Sequence, residues 1–232
     1  METTKLGKYL VSFPNSKEYH KLKKEIWGEE IYHFESSNPS PFIIDIGSHI
    51  GISVLYFKNL YPNSSILAFE PNPISFQFLE ENVTQNALEN VTLINEGVSS
   101  NIGERILYID NTDSQWNSNS SFLQNSWNGK ENTKKITVKS TRLDRYLENI
   151  NCIDMLKIDT EGSELEILTS HKKFLRLVEN ISLEHHPSRG KKFKNIINIL
   201  QEYFELKYFD EGKIVKSPSK ERLLTIHGKK RK

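Results

Sequence analysis

The chain has 232 residues, 36% of them hydrophobic and 26% charged, which is enough to bury one full core and ordinary for a globular protein. Thirty-one Lys and Arg against thirty Asp and Glu leave a net charge of +1, excluding an overall field that would hold the protein on nucleic acid or acidic lipid. A single cysteine, Cys152, excludes an intramolecular disulfide and any CxxC or zinc-finger spacing, and fits a reducing compartment. The N-terminus has no apolar core of signal-peptide length and no run approaches the ~20 apolar residues of a membrane span, so a cytoplasmic protein without a membrane partner is expected.

Residues 1–40 form a leader of mixed character, with a helix-like "SKEYHKLKKEIWG" and a Ser/Pro-rich "ESSNPSP" linker. Residues 42–46 then read as a buried strand, 51–60 as a helix and "SSILAFE" (64–70) as a second strand. Asn72 is placed to cap a helix whose first position is Pro73, where the missing N–H of proline costs nothing. "NVTLINEGV" supplies a third strand, "DMLKID" (154–159) a fourth and "ENISLEHH" (179–186) a fifth, with a capping-box pattern "SELE" between the last two. "KKFKNIINILQEYF" places Phe193, Ile196, Ile197, Leu200 and Phe204 on one helical face. The end, "FELKYFDEGKIVKS" and "RLLTIH", reads as antiparallel strands with a D-E-G turn, and the final "HGKKRK" as a solvated basic tail. Residues 111–134 are rich in Asn and Ser yet carry Trp116, Phe122 and Trp127, a combination that suits a substrate lid.

Strands alternating with helices predict an open α/β sheet, mostly parallel, covered on both faces, with ligands at the carboxyl ends of the strands. Each of the five strand ends carries an acid: Asp45, Glu70, Glu96, Asp159 and Glu184. After the first, "DIGSHIG" has the glycine-rich turn that lets a ligand approach the backbone, but His49 stands where a pyrophosphate-binding fingerprint needs its middle glycine. That spacing suits a ligand with an amino-acid moiety, its ammonium group near Asp45. Glu70, at the end of the second strand, is placed to take both hydroxyls of a ribose. Together these features describe S-adenosylmethionine better than NAD, which leaves a dinucleotide oxidoreductase and a catalytically silent binding domain as the other readings. Lys157, alternating with apolar neighbours in its strand, is a candidate buried charge partner of a nearby acid.

The segments "DIGSHIGIS", "AFEPNPISFQFLEENV", "EGVSSNIGERILYI", "STRLDRYL" and "LKIDTEGSELEIL" resemble, in this order, the FkbM-type S-adenosylmethionine-dependent methyltransferases. The resemblance runs over roughly residues 40–209 and implies a Rossmann-like sheet of seven strands, the last pair antiparallel; the methyltransferase domain is expected at 41–228, between the leader at 1–40 and a basic tail at 229–232. The resemblance also implies O-methylation of a hydroxyl on a small molecule or glycan. Asp45, Gly47, Ser48 and Gly51 would then line the methionine part of the cofactor, Glu70 the ribose, Asn72 the edge of that pocket, and Glu96 and Val98 the adenine. Asp159 and Glu161 would face the methyl donor and acceptor. A base for the acceptor hydroxyl would come from His185 or His186 with Glu184 and Asp159, His185 being the first choice. The same residue types also suit a divalent cation, although no metal ligand is assigned. Nucleic acid is an improbable acceptor for a chain of this net charge.

Overall fold

The computed structural model describes residues 2–110, 119–124, 133–187, 192–219 and 221–231. It opens with a hairpin, β1 (Glu2–Leu6) and β2 (Tyr9–Phe13), followed by α1 (Ser16–Leu22) and one π-helical stretch, Lys23–Gly28. The α/β part is β3 (Phe42–Ile46), α2 (Ile52–Leu60), β4 (Ser65–Phe69), α3 (Pro73–Gln85) and β5 (Val91–Ile94). A three-stranded insertion follows, built from β6 (Gly97–Val98), β7 (Gly103–Asp110) and β8 (Thr133–Thr141). The chain then returns to the main sheet through β9 (Ile153–Ile158), α4 (Glu164–Ser170), β10 (Val178–His185), α5 (Lys192–Gln201), β11 (Phe204–Asp210), β12 (Lys213–Val215) and β13 (Leu224–Lys230).

The main sheet has eight strands in the order β12-β11-β13-β10-β9-β3-β4-β5. The five from β10 to β5 are parallel, and β13 runs antiparallel to both β10 and β11. The eighth strand beyond the expected seven is β12, which folds back on β11 at Glu211 and Gly212, both with positive φ (48° and 74°), as a tight hairpin turn requires. The basic end is not a tail: Lys229 and Lys230 lie in β13, opposite Glu205 and Phe204, and Lys230 pairs with Glu179 at 2.7 Å. The predicted helix after β10 stops at Gln201, and Phe204 instead begins β11, buried beneath the helix it was expected to extend.

Strand alternation divides the sheet's side chains between two cores. Ile43, Ile66, Ala68 and Met155 face α2, α3 and the N-terminal segment, whose Val11, Phe13, Tyr19, Tyr32 and Phe34 are buried in the same cluster. Ile44, Ile46, Phe69, Leu156 and Ile158 face the opposite way, with Ile167, Leu168, Ile196 and Leu200. The N-terminal hairpin is also tied to α3 by buried Asn82, whose Oδ1 accepts from Ser12 N at 2.7 Å while its Nδ2 donates to the carbonyls of Ser12 and Ile50. Asn72 caps α3 as expected, accepting from Ile74 N at 3.0 Å with Pro73 next in line. The Ser163 cap expected for α4 makes no side-chain bond; Glu164 Oε1 accepts from Gly162 N instead. No helix among the described residues is long and apolar enough to cross a membrane.

Candidate active site

From β3 the chain winds through β4 and β5 to one side, while β9 and β10 lie on the other, so the crevice for a ligand falls between the carboxyl ends of β3 and β9. There the backbone is packed without slack. Asp159 N donates to Ile46 O at 3.0 Å, and a Cβ on Gly47 (φ +85°) would stand 1.8 Å from Asp159 O. Gly51 (φ +87°) starts α2, where a Cβ would meet Leu79 Cδ1 at 2.7 Å. Both glycines are thus demanded by contacts inside the protein, and only Gly47 also borders the cavity.

That cavity, about 950 Å³ including its mouth, spans the ends of β3, β4, β9 and β10. At the β4 end, Glu70 Oε1 accepts from Asn72 N and Oε2 from His49 N, both at 2.8 Å. Burial raises its carboxyl to about 7 even though these two N–H groups pull the other way. Each oxygen keeps a lone pair for a further donor. Beside it Phe69, Val98, Leu107 and Phe122 form an apolar slot. Phe122 is the one aromatic of the predicted lid that falls among the described residues; Trp116 and Trp127 lie outside them.

The opposite end carries the charge. Asp159, Glu161 and Glu184 line the cavity. Leu183 and Ile158 are register partners, which sets Glu184 beside Asp159 on one face and brings His186 to that face two residues on. His186 Nε2 lies 3.4 Å from Glu161, 3.6 Å from Glu184 and 4.0 Å from Asp159, while Nδ1 donates to buried Glu164 at 2.9 Å. Burial opposes the charge on His186, but Glu161 and Glu164 outweigh it and hold the imidazole well above its ordinary range. Burial, with Asp159 adding to it, pushes Glu184 up to about 8. Asp159, Glu184 and His186 bring ligand-type atoms within 4.8 Å of one another. Glu161 reaches in from a left-handed backbone, φ 53°, a conformation that non-glycine residues adopt at some cost.

The sequence-level candidates separate accordingly. Gly47, Glu70, Val98, Asp159, Glu161 and Glu184 meet at one cavity, with His186 directly behind its carboxylates. His185, the first choice for a base, is a correction: it sits on the other face, its ring 4.7 Å from that of Phe193, and does not line the cavity. Asp45 is fully buried behind the loop, accepting from Ser53 at 2.5 Å and pairing with Lys157 at 3.0 Å. Lys157, its register partner in β9, also donates to Gly47 O at 2.7 Å. Ser48 Oγ donates to Asp45 O, and Asn72, besides capping α3, donates to Ser120, so both support the loops around the cavity and do not line it. Glu96 turns outward to Tyr146, whose hydroxyl donates to it at 3.2 Å. Sequence reasoning placed nothing from the leader at the site, yet Glu18, Lys21, Glu25 and Tyr32 line it, and Tyr32 donates to Asp159 at 3.0 Å. His49, standing at the fingerprint's middle-glycine position, contributes a cavity-lining ring 3.7 Å from Glu18.

Residues 45–208 match the model of the methyltransferase FkbM domain. The chain belongs to the FkbM methyltransferase family. Among curated proteins similar to this chain, "Methyltransferase sdnD" of Sordaria araneosa is 31% identical over 79% of this chain and 80% of its own. The "Hexuronic acid methyltransferase AglP" of Haloferax volcanii is 26% identical over 72% of this chain and 64% of its own. The crystal structure of methyltransferase FkbM from Methylobacillus flagellatus KT shares the fold, with a TM-score of 0.56 at 15% identity, over 84% of this chain and 45% of that one. The FkbM match begins at Asp45, so α1 and the stretch that follows it to Tyr32, which wall the cavity, lie outside it, as does the N-terminal hairpin.

Proposed function

We propose that this protein is an S-adenosylmethionine-dependent O-methyltransferase acting on a hydroxyl of a small molecule or glycan. The observation that carries the reading is one cavity with two unlike ends. A buried carboxylate beside an apolar slot suits ribose and adenine, and an acid-rich wall suits a sulfonium and a hydroxyl that must lose its proton. The residues present fit the cofactor: Glu70 would hold the ribose, Val98 with Leu107 and Phe122 the adenine, and the Gly47 turn the methionine end. When bound, S-adenosylmethionine would supply an electrophilic methyl group on a sulfonium, whose leaving group is a neutral thioether. The chain's own task is then alignment and removal of the hydroxyl proton. Asp159 or Glu161, which line the cavity beside Glu184 and His186, would receive that proton. A glycan acceptor is favoured by the relative named for hexuronic acid methylation.

The decisive test is calorimetry with S-adenosylhomocysteine. Glu70→Ala leaves the ribose hydroxyls and the N–H groups of His49 and Asn72 without their acceptor, so binding should weaken by about 1 to 3 kcal/mol. Unchanged affinity in a folded variant would remove Glu70, and with it the cofactor reading, from this end of the cavity.

A further inference from the structure

We propose that Asp159, Glu184 and His186 form a divalent-cation site in the cavity wall, placed where the acceptor hydroxyl of the proposed reaction would lie. The ion's part in methyl transfer rests on the function proposed above; its binding does not.

The three side chains come from the ends of two adjacent parallel strands and point to one side of the sheet, their ligand-type atoms within 4.8 Å of one another. Neighbouring ligands of a small divalent ion, bound at about 2.1 Å, stand about 3 Å apart. The gaps of 3.6 Å from His186 Nε2 to Glu184 and 4.0 Å to Asp159 exceed that spacing by about 1 Å or less. The outer contacts are those of a ligand set. His186 Nδ1 donates to Glu164, a residue 2% exposed, at 2.9 Å, which fixes the ring and turns Nε2 toward the carboxylates; a carboxylate behind a histidine is the usual support of a metal-bound imidazole. Tyr32 holds the other oxygen of Asp159 at 3.0 Å. An independent sign comes from Ser163, which lines the same cavity, is 3% exposed, and has a hydroxyl with no hydrogen-bond partner among the described residues. A buried hydroxyl calls for a polar partner, which the water on a bound cation supplies. Two carboxylates with one imidazole suit Mn²⁺ or Mg²⁺ better than a thiolate-seeking metal. An ion there would polarise the acceptor hydroxyl, leaving Glu161 to take its proton.

The test is a titration of Mn²⁺ into the full chain, followed by the electron paramagnetic resonance signal of the free ion. One Mn²⁺ per chain is expected. Glu184→Gln and His186→Ala should each weaken binding at least ~10-fold, and Glu164→Gln, which keeps an acceptor for Nδ1 but removes the carboxylate charge behind the ring, by about 10-fold. Circular dichroism checks the fold, and if His186→Ala does not fold the two isosteric variants carry the comparison. Glu70→Ala should keep Mn²⁺ while losing S-adenosylhomocysteine, so failure of the cofactor reading and failure of the cation site are separately visible. Free Mn²⁺ in the presence of the wild-type chain would overturn the proposal, as would Glu184→Gln and Glu164→Gln titrating like wild type.

Discussion

Glu70 and Lys157 show what burial demands of single charged residues. Glu70 sits near 7 in the folded chain, against about 4.3 for an ordinary glutamate, because it is buried. The folded state therefore binds more protons than the unfolded state between those values. Stability should fall as pH rises through that window and level off above it, by at most about 1.4 kcal/mol per pH unit. Urea unfolding of Glu70→Gln should show a shallower fall over the same window. With the ribose held as proposed, its hydroxyls would donate to the ionised carboxylate, so S-adenosylhomocysteine should bind more tightly as pH rises from about 6 to about 8, with a proton released near pH 6.5. Calorimetry in two buffers of different ionisation heat measures that release, and none would be expected if another group held the ribose. Lys157 answers to Asp45: burial lowers its affinity for a proton, but Asp45 and Asp159 outweigh it and raise its value. Lys157→Met strands a fully buried Asp45 and should cost about 3 to 5 kcal/mol in urea unfolding. The double variant with Asp45→Asn should recover most of that loss. The identity of a charge partner for Lys157 was legible in its strand only as a type; register decided that it is the residue directly opposite.

At the scale of elements, the β3–α2 turn is held by what packs on it. Gly47 and Gly51 both have positive φ, a backbone state costing other residues about 1 to 2 kcal/mol, but their obstacles differ. Gly47→Ala drives a methyl into the carbonyl of Asp159, which cannot move without pulling β9. Gly51→Ala meets the tip of Leu79, which can turn aside. Gly47→Ala should be the more destabilising in denaturant melts and should also weaken S-adenosylhomocysteine binding, whereas Gly51→Ala should mainly lower stability. Equal losses would show that the Asp159 carbonyl yields as readily as a side chain. The β3 strand was legible because every residue of the 42–46 run but Asp45 is apolar, on both faces. The choice between His185 and His186 was not, because it depends on parity: one residue's shift in the β9–β10 register would exchange the two faces.

The whole molecule closes its cavity with a segment from outside the matched family domain. Val11, Phe13, Tyr19, Tyr32 and Phe34 are buried against α2 and α3, and each fully buried side chain of this size contributes about 1.5 to 3 kcal/mol. Their sum rivals the ~5 to 15 kcal/mol by which a domain is usually stable. A chain begun at residue 35 should therefore lose cooperative unfolding and S-adenosylhomocysteine binding together. A cooperative melt with intact binding would make the leader a detachable cap, as a division of the chain at residue 40 implies.

What the sequence by itself determined is local or periodic: buried strands, the Asn72 cap, the glycine turn, and an acid at each strand end. These depend on neighbours a few residues away, so alternation, propensity and spacing reveal them. The motif order was also enough to point to FkbM methyltransferases, since each of its segments is a local pattern of residue types. Only the tertiary structure decided which acids converge. Asp45 turned inward to Lys157 and Glu96 outward to Tyr146, while Glu70, Asp159 and Glu184 came to one cavity. The same holds for the leader's Tyr32 reaching Asp159 across 127 positions and for Glu164 orienting His186. Such contacts are set by strand register and by the packing of one layer on another, and neither leaves a periodic trace along the chain.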